Sequence, residues 1–178
     1  MKLMIASDLH GSAYYTKKLL EAMEQERPQK LLLLGDILYH GPRNDLPRDY
    51  VPKKVAALLN AKKNQILCVR GNCDAEVDQM MLEFPILAEW ALLYWEGMTI
   101  YGVHGHKNLD MPFSKDCLLL CGHTHVPVIR REDGYWYGNP GSVSIPKEGS
   151  AHGYMVLENG ILRHQCLEPG PQLPCFTF

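Results

Sequence analysis

The chain reads as an α/β protein of two packed β-sheets with helices on their outer faces, and three features of the sequence carry that reading. The first half alternates continuous apolar runs with stretches of helical periodicity. The second half is punctuated by hairpin dipeptides. No linker, internal repeat or low-complexity segment separates the two halves. Residues 1–178 are therefore expected to form one domain, long enough to hide roughly 70% of its unfolded surface.

Lys2 to Ser7 is a short apolar run ending in a polar cluster, as a buried strand does on entering a loop. Ser12 to Glu26 follows with Leu19, Leu20 and Met23 at helical spacing. Lys30 to Leu34 is a continuous apolar run suited to a buried parallel strand. His40 to Asp49 holds two prolines and several charges and reads as a surface loop. Val51 to Lys62 is helical, and Gln65 to Val69 is the next strand, so the first half predicts β-α-β-α-β. Ala75 to Glu89 is partly helical, rich in Met, Leu and Phe, and interrupted by Pro85. Both irregular stretches are placed to overhang a site.

From about Trp90, Glu96-Gly97, Asp133-Gly134 and Asn159-Gly160 each separate two strand-like runs. Asp-Gly and Asn-Gly suit type I′ turns, whose two central residues both need positive φ. With Leu118 to Cys121 as another buried strand, the second half predicts antiparallel or mixed β.

Composition limits the function. Hydrophobic residues make up 46% and charged residues 21%, ordinary for a globular chain, and the net charge of −2 offers no polycation for nucleic acid or an anionic membrane. No stable nucleic-acid complex and no membrane association are expected, and attraction for phosphate has to be local. Among Cys68, Cys73, Cys117, Cys121, Cys166 and Cys175 there is no CxxC pair, and Cys68, Cys117 and Cys121 sit in or beside apolar runs. Most are expected to be reduced core residues. The N-terminus opens into an apolar run with no basic leader, so a cytoplasmic location is expected. The apolar ending Pro174-Cys175-Phe176-Thr177-Phe178 is suited to a partner surface, which admits a homo-oligomer.

Five polar clusters stand at the ends of the apolar runs: Asp8-Leu9-His10, Gly35-Asp36, Gly71-Asn72-Cys73-Asp74, His104-Gly105-His106 and Gly122-His123-Thr124-His125. Strand ends are where ligands bind in open α/β sheets. Any one cluster alone is commonplace in a turn, but five in series are not. Two carboxylates, an amide and four imidazoles form a set of oxygen and nitrogen ligands suited to Mn, Fe, Zn, Co or Ni. In Asp8-x-His10 and His123-x-His125, an extended backbone puts both side chains on one face, and a twisted turn sends them to different ions. The neighbouring glycines allow the backbone to crowd around ions and phosphate.

These clusters resemble the signature of the calcineurin-like metallophosphoesterase superfamily, DxH, GDxxxxG, GNH[DE], H and GHxH, with Gly41 completing the second element. Asn139-Pro140-Gly141-Ser142-Val143 resembles a loop of the YfcE-type bacterial phosphodiesterase branch, and the likeness covers nearly the whole chain. The resemblance implies the metallophosphoesterase fold, a four-layer αββα sandwich of two mixed β-sheets flanked by helices. It implies a binuclear centre in which Asp8, His10, Asp36 and His125 hold one metal and Asp36, Asn72, His104 and His123 the other. Asp36 and a hydroxide would bridge the pair. The activity implied is a metal-dependent phosphodiesterase acting on small or activated diesters by in-line attack of that hydroxide. Two divalent ions per chain are expected, manganese first, with Fe, Zn, Co, Ni or Mg admitted. Two such ions against two carboxylates leave about two positive charges for phosphate.

One departure is chemical. Where most of the superfamily has His, thought to protonate the leaving group and to be oriented by the next Asp, this chain has Cys73 before Asp74. An unperturbed thiol, with a pKa near ~8.5, suits that task poorly. The catalytic candidates are Asn72, Cys73, Asp74 and His106, the last as phosphate contact or stand-in acid, with a supporting role the stronger expectation. Arg43 is expected to be a solvated loop charge, and His40, His152 and His164 ordinary histidines. The rival readings are a phosphomonoesterase or nucleotidase with the same centre, and a non-catalytic scaffold resembling the retromer subunit of this fold. The retromer subunit departs from the signature at the GD and GN elements that Asp36 and Asn72 keep here.

Overall fold

The computed structural model describes residues 1–108 and 114–178. Strand β1 (Lys2–Ala6) leads through a loop into α1 (Ala13–Glu26). The Ser12 side chain accepts the Tyr15 N–H at 3.3 Å, giving an acceptor to an amide with no partner inside the helix. The helix stops at Arg27, whose φ of 51° is left-handed. Strand β2 (Lys30–Leu33) then lies parallel to β1, with Met4 opposite Leu31. Helix α2 (Pro52–Asn60) starts on Pro52, whose missing N–H is no loss in the first turn. After a 3₁₀ turn at Lys63–Gln65, β3 (Ile66–Cys68) runs parallel to β2. The stretch 75–89 contributes only one helical turn, α3 (Glu76–Gln79). His40 to Asp49 has no regular element, as expected of it.

The second half supplies β4 (Trp90–Trp95), β5 (Met98–Val103), β6 (Leu118–Leu120), β7 (Pro127–Arg131), β8 (Trp136–Pro140), β9 (Gly153–Glu158), β10 (Ile161–Cys166) and β11 (Phe176–Thr177). Six strands make one mixed sheet in the order β11-β10-β9-β1-β2-β3, and five make the other in the order β4-β5-β6-β8-β7. Asn159 and Gly160 both have positive φ, at 51° and 71°, as do Glu96 and Gly97, at 49° and 85°. Asp133-Gly134 differs from the expected type I′ turn. It lies inside a four-residue connection, Glu132 to Tyr135, closed by the Glu132 N–H on Tyr135 O at 2.9 Å, and of the two only Gly134 is left-handed.

The alternation of side chains along the strands assigns the cores. Met4, Ala6, Leu31, Leu33 and Ile66 face α1 and α2 and pack on Leu19, Leu20, Met23, Val55 and Leu59. Leu3, Ile5, Leu32, Leu34 and Val69 point the other way, into the space between the sheets, where they meet Ile100, Leu118, Leu120 and Ile129. Each such Leu or Ile removed from water is worth about 1.5–3 kcal/mol. Continuous apolar strands are thus explained by burial on both faces. On the far side of the second sheet Tyr101, Val103, Leu119 and Cys121 gather with Tyr135 and Tyr137, and no helix among the described residues joins that cluster.

The C-terminal tail folds back on its own chain, although Pro174, Cys175 and Thr177 stay exposed. β11 pairs with β10, and Trp136 packs against the rings of Phe176 and Phe178 at 6.0 and 5.1 Å, so the apolar tail covers its own chain. All six cysteines are unpaired.

Candidate metal centre

Backbone hydrogen bonds continue past the strand ends and draw the loops together. The Asp8, His10 and Gly11 amides donate to Gly35, Asp36 and Ile37 carbonyls at 3.1, 2.9 and 2.9 Å, which extends the β1–β2 pairing through both motif loops. The Gly122 N–H donates to His104 O at 2.9 Å, and Val143 N–H to Ser7 O at 3.0 Å, which ties in the loops of the second sheet. Close approach demands glycine at two points: a Cβ on Gly71 would collide with the Asp36 carboxylate, and one on Gly122 with Ser7 Oγ.

Five of the expected ligands hold left-handed backbone: Asp8, His10, Asp36, His123 and His125, with φ between 46° and 67°. Such conformations persist where the surroundings over-determine them, and they concentrate at functional sites. The loops are therefore twisted, not extended. Asp8 and His10 still face one point, with His10 Nε2 3.5 Å from Asp8 Oδ1. His123 and His125 diverge: His123 Nδ1 lies 3.2 Å from His104 Nε2, and His125 Nε2 lies 3.2 Å from Asp8 Oδ1.

Three imidazoles are oriented in the same way. The Nδ1–H groups of His10, His104 and His125 donate to the carbonyls of Tyr39, Leu34 and Ile145 at 2.8, 2.6 and 2.6 Å. Their protons being held there, each Nε2 turns a lone pair inward, the tautomer a metal ligand needs. His10 Nε2 and His125 Nε2 then face each other at 3.3 Å beside Asp8 Oδ1, which is fully buried with no hydrogen-bond donor. Lone pairs facing a carboxylate repel unless a cation stands among them. On the other side His104 Nε2 lies 3.0 Å from Asn72 Oδ1 and 3.4 Å from Asp36 Oδ2, and the same Asp36 oxygen lies 3.7 Å from His10 Nε2. The carboxylate of Asp36 thus stands between two ligand sets. Asp8–His10–His125 and Asp8–Asp36–His104 each bring their ligand atoms within 4.8 Å of one another. The residues fit a pair of divalent ions.

The electrostatics agree. Burial would raise Asp8, but His10 and His125 beside it hold its carboxyl well below the usual range. Burial would lower His104, yet the bond to Asp36 and the charges of Asp8 and Asp36 lift it to about 9. His123 is lowered, by burial and then by the charge of His104. Without a metal only protons can separate these groups; loading the centre therefore displaces protons.

The remaining candidates are placed less uniformly. Asn72 is exposed, with Nδ2 on Cys73 Sγ at 3.2 Å. Cys73 lies nearer the ligands than the resemblance implies: its Sγ is within 4.8 Å of ligand atoms of His10 and Asp36. Burial and the Asp36 charge push its thiol up to about 12. Asp74 does not engage Cys73; it is buried, and both its oxygens accept backbone N–H groups of Asp36, Ile37 and Gly71 at 2.7–2.8 Å. Burial raises it to about 6, despite these amides. His106 sits 5.4 Å from the ring of His104 and lines a small recess with His104, Glu89 and Lys107, not the cleft lined by Asp36, Asn72, His123 and His125. His152 stacks on Tyr15, an ordinary packing role.

Sequence reasoning missed a set of supporting residues. Buried Ser142 and Ser144 donate their hydroxyls to Asp8 O at 2.8 and 3.0 Å, and Asn139 Nδ2 donates to Gly122 O at 2.7 Å. They pin the strained backbone of Asp8 and of the His123 loop. The signal was the Asn-Pro-Gly-Ser run, noticed only as a likeness.

Comparisons with known proteins bear on this centre. A family model described as calcineurin-like phosphoesterase superfamily domain matches residues 1–160. Phosphodiesterase YfcE of Escherichia coli strain K12 is 48% identical over 166 residues, 91% of this chain and 90% of that one. The solved structure of Yfce, a phosphoesterase from E. coli, superposes with a TM-score of 0.95 at 43% identity, covering 99% of both chains. Vacuolar Protein Sorting 29 from Cryptosporidium parvum, 16% identical with a TM-score of 0.67 over 99% of this chain and 98% of that one, shares the fold.

Proposed function

The chain belongs to the calcineurin-like phosphoesterase superfamily, and from that premise we propose that it is a metal-dependent phosphodiesterase. Its centre is the divalent-metal site of Asp and His residues typical of that superfamily. In our reading Asp8, His10, Asp36 and His125 hold one ion and Asp36, Asn72, His104 and His123 the other. One observation carries the reading most directly: Nε2 of His10 and Nε2 of His125 converge at 3.5 and 3.2 Å on Oδ1 of fully buried Asp8 and lie 3.3 Å from each other. Bound divalent ions supply Lewis acidity and a water of lowered pKa.

The protein's own groups do the rest. The carbonyl-anchored imidazoles hold their ligand atoms in place before any ion arrives, which removes reorganisation from the reaction. Asn72 and His123, the more open members of the set, face the cleft where the phosphodiester is expected to lie. Manganese is the ion proposed first, supported by the mixed nitrogen and oxygen donors. The cytoplasm is the compartment proposed, supported by six unpaired cysteines. Among the described residues no helix is long and apolar enough to cross a membrane.

Elemental analysis of the purified protein tests the centre. About two ions per chain are expected, with hydrolysis of bis(p-nitrophenyl) phosphate lost to a chelator and restored by manganese. Full activity with less than one ion per chain and no response to chelator would refute the reading. Comparing aryl mono- and diesters separates it from a phosphomonoesterase.

Cys73 gives a second prediction. A thiol held near 12 keeps its proton and is a poor match to an acid working near neutral pH. A nitrophenolate leaves without help, so Cys73→Ala should change kcat for the nitrophenyl diester by no more than about threefold, far below the ~10²- to 10⁴-fold loss of a working acid. Abolished turnover with unchanged metal content would give the thiol an active role.

A further inference from the structure

A cleft of about 450 Å³ opens over the ligand loops, the size of an ordinary small-molecule site. Asp36, Asn72, Cys73, His123 and His125 form its floor, and two cations, Arg43 and Lys147, also line it. Arg43 stands in a turn after β2 that closes with Asn44 N–H on Gly41 O at 3.4 Å and Asn44 Nδ2 on His40 O at 2.8 Å. A Cβ on Gly41 would lie 3.2 Å from Cys73 Sγ, so this turn is packed on the thiol side of the floor. Lys147 is fixed to the His125 side: its N–H donates to His125 O at 3.2 Å, and its carbonyl accepts Ser150 Oγ at 2.6 Å. The two cations therefore stand on separately anchored loops around the same space.

Neither side chain has an ion pair or hydrogen bond among the described residues. Several other surface lysines are neutralised locally, as in Lys54–Asp49 at 3.4 Å and Lys107–Glu89 at 2.8 Å, and what sets Lys147 apart from Lys53 and Lys115, also unpaired among the described residues, is its place on the cleft. Asp36 is the sole acidic side chain lining the cleft among the described residues, and it belongs to the metal ligands. A loaded centre with a surplus of about two positive charges already answers the single charge of a phosphodiester. Two further unpaired cations exceed what that group needs. Among the described residues the lining holds no Phe, Tyr or Trp, and its two aromatic rings, His123 and His125, are assigned to the metals, which leaves no free aromatic platform for a nucleobase.

We propose that Arg43 and Lys147 form a second anion subsite, so that the preferred substrates are small phosphodiesters carrying a carboxylate or phosphate on one ester arm. The proposal rests on the phosphodiesterase reading of the metal centre. It makes Arg43 and Lys147 specificity-determining residues, with the planar guanidinium suited to grip two oxygens and the ammonium acting as a point charge.

Calorimetry on the manganese-loaded protein tests it with two non-hydrolysable probes, ethylphosphonate and 2-carboxyethylphosphonate, which share a head group and differ by a distal carboxylate. Wild type should bind the carboxylated probe about tenfold tighter, each exposed pair contributing about threefold. Arg43→Ala and Lys147→Ala should each remove about a third to a half of that preference on a logarithmic scale, and the double variant nearly all of it, with ethylphosphonate as the internal reference. Raising salt should shrink the wild-type preference. Equal affinities in wild type, or a preference that survives the double substitution, overturn the subsite while leaving the metal centre standing. Failure of both probes to bind the manganese-loaded protein removes the subsite, and failure of that same protein to hydrolyse bis(p-nitrophenyl) phosphate removes the phosphodiesterase reading with it.

Discussion

Asp36→Asn is expected to disable both halves of the centre at once, lowering kcat/KM for a nitrophenyl diester by at least about 10³-fold, because metal assistance is worth several kcal/mol in the transition state. The geometry sets Asp36 apart from Asp8. Its Oδ2 lies 3.4 Å from His104 Nε2 on one side and 3.7 Å from His10 Nε2 on the other. Asp8 Oδ1 faces His125 and His10, the ligands of a single ion in our assignment. Asp8→Asn should therefore weaken one ion and Asp36→Asn both. The substitution keeps the volume of the side chain and an oxygen able to accept the Cys73 N–H, now held at 2.8 Å, so the fold should survive. Metal content by elemental analysis, read beside thermal unfolding in chelator, separates loss of ligand from loss of structure. A titration in which the Asp36 variant binds two ions as tightly as wild type would remove the bridging assignment.

Much of the fold was legible because burial writes itself into composition. Leu31 to Leu34 are apolar without interruption since β2 is covered by helices on one face and by the second sheet on the other. The same strands end in Asp and His clusters that are commonplace singly but not five in series, so the candidate ligands were legible as a set. Direction was not. Residue type only biases Asp8 and His123 toward left-handed backbone, and what fixes it at Asp8 is long-range bonding such as Ser142 Oγ on Asp8 O. The tail shows the same limit. Phe176 and Phe178 are equally suited to a partner or to the chain's own Trp136, and only the return of β11 onto β10 decides between them. Asp133-Gly134 carried the dipeptide of a tight hairpin, but the register of β7 on β8 leaves four residues to connect.

Asp74 is where direction matters most for stability. Asp74 stands where the superfamily's Asp orients a His; here its carboxylate lies inside, with Oδ2 accepting Asp36 N–H at 2.8 Å and Gly71 N–H at 2.7 Å, and Oδ1 accepting Ile37 N–H at 2.8 Å. It clamps the loop after β2 to the loop after β3, and so sets the distance between Asp36 and Asn72. Asp74→Ala leaves three buried amides without an acceptor. At about 1–3 kcal/mol for each unsatisfied group, partly relieved by entering water, the loss should come to about 3–5 kcal/mol. For a chain of this length that lowers Tm by about 10 °C. Asp74→Asn keeps one oxygen and should fall between, because its amide nitrogen turns a donor toward a donor. The same clamp positions metal ligands without touching the ions, so manganese affinity should drop about 10- to 100-fold in the Ala variant, as when a group supporting a ligand is lost. Unfolding followed in chelator reads the first effect, and the rise in Tm on adding manganese reads the second. An Ala variant that melts with wild type in chelator would mean that these amides find other partners and that Asp74 holds nothing together. One that is destabilised in chelator yet gains as much from manganese as wild type would confine Asp74 to the fold and detach it from the centre.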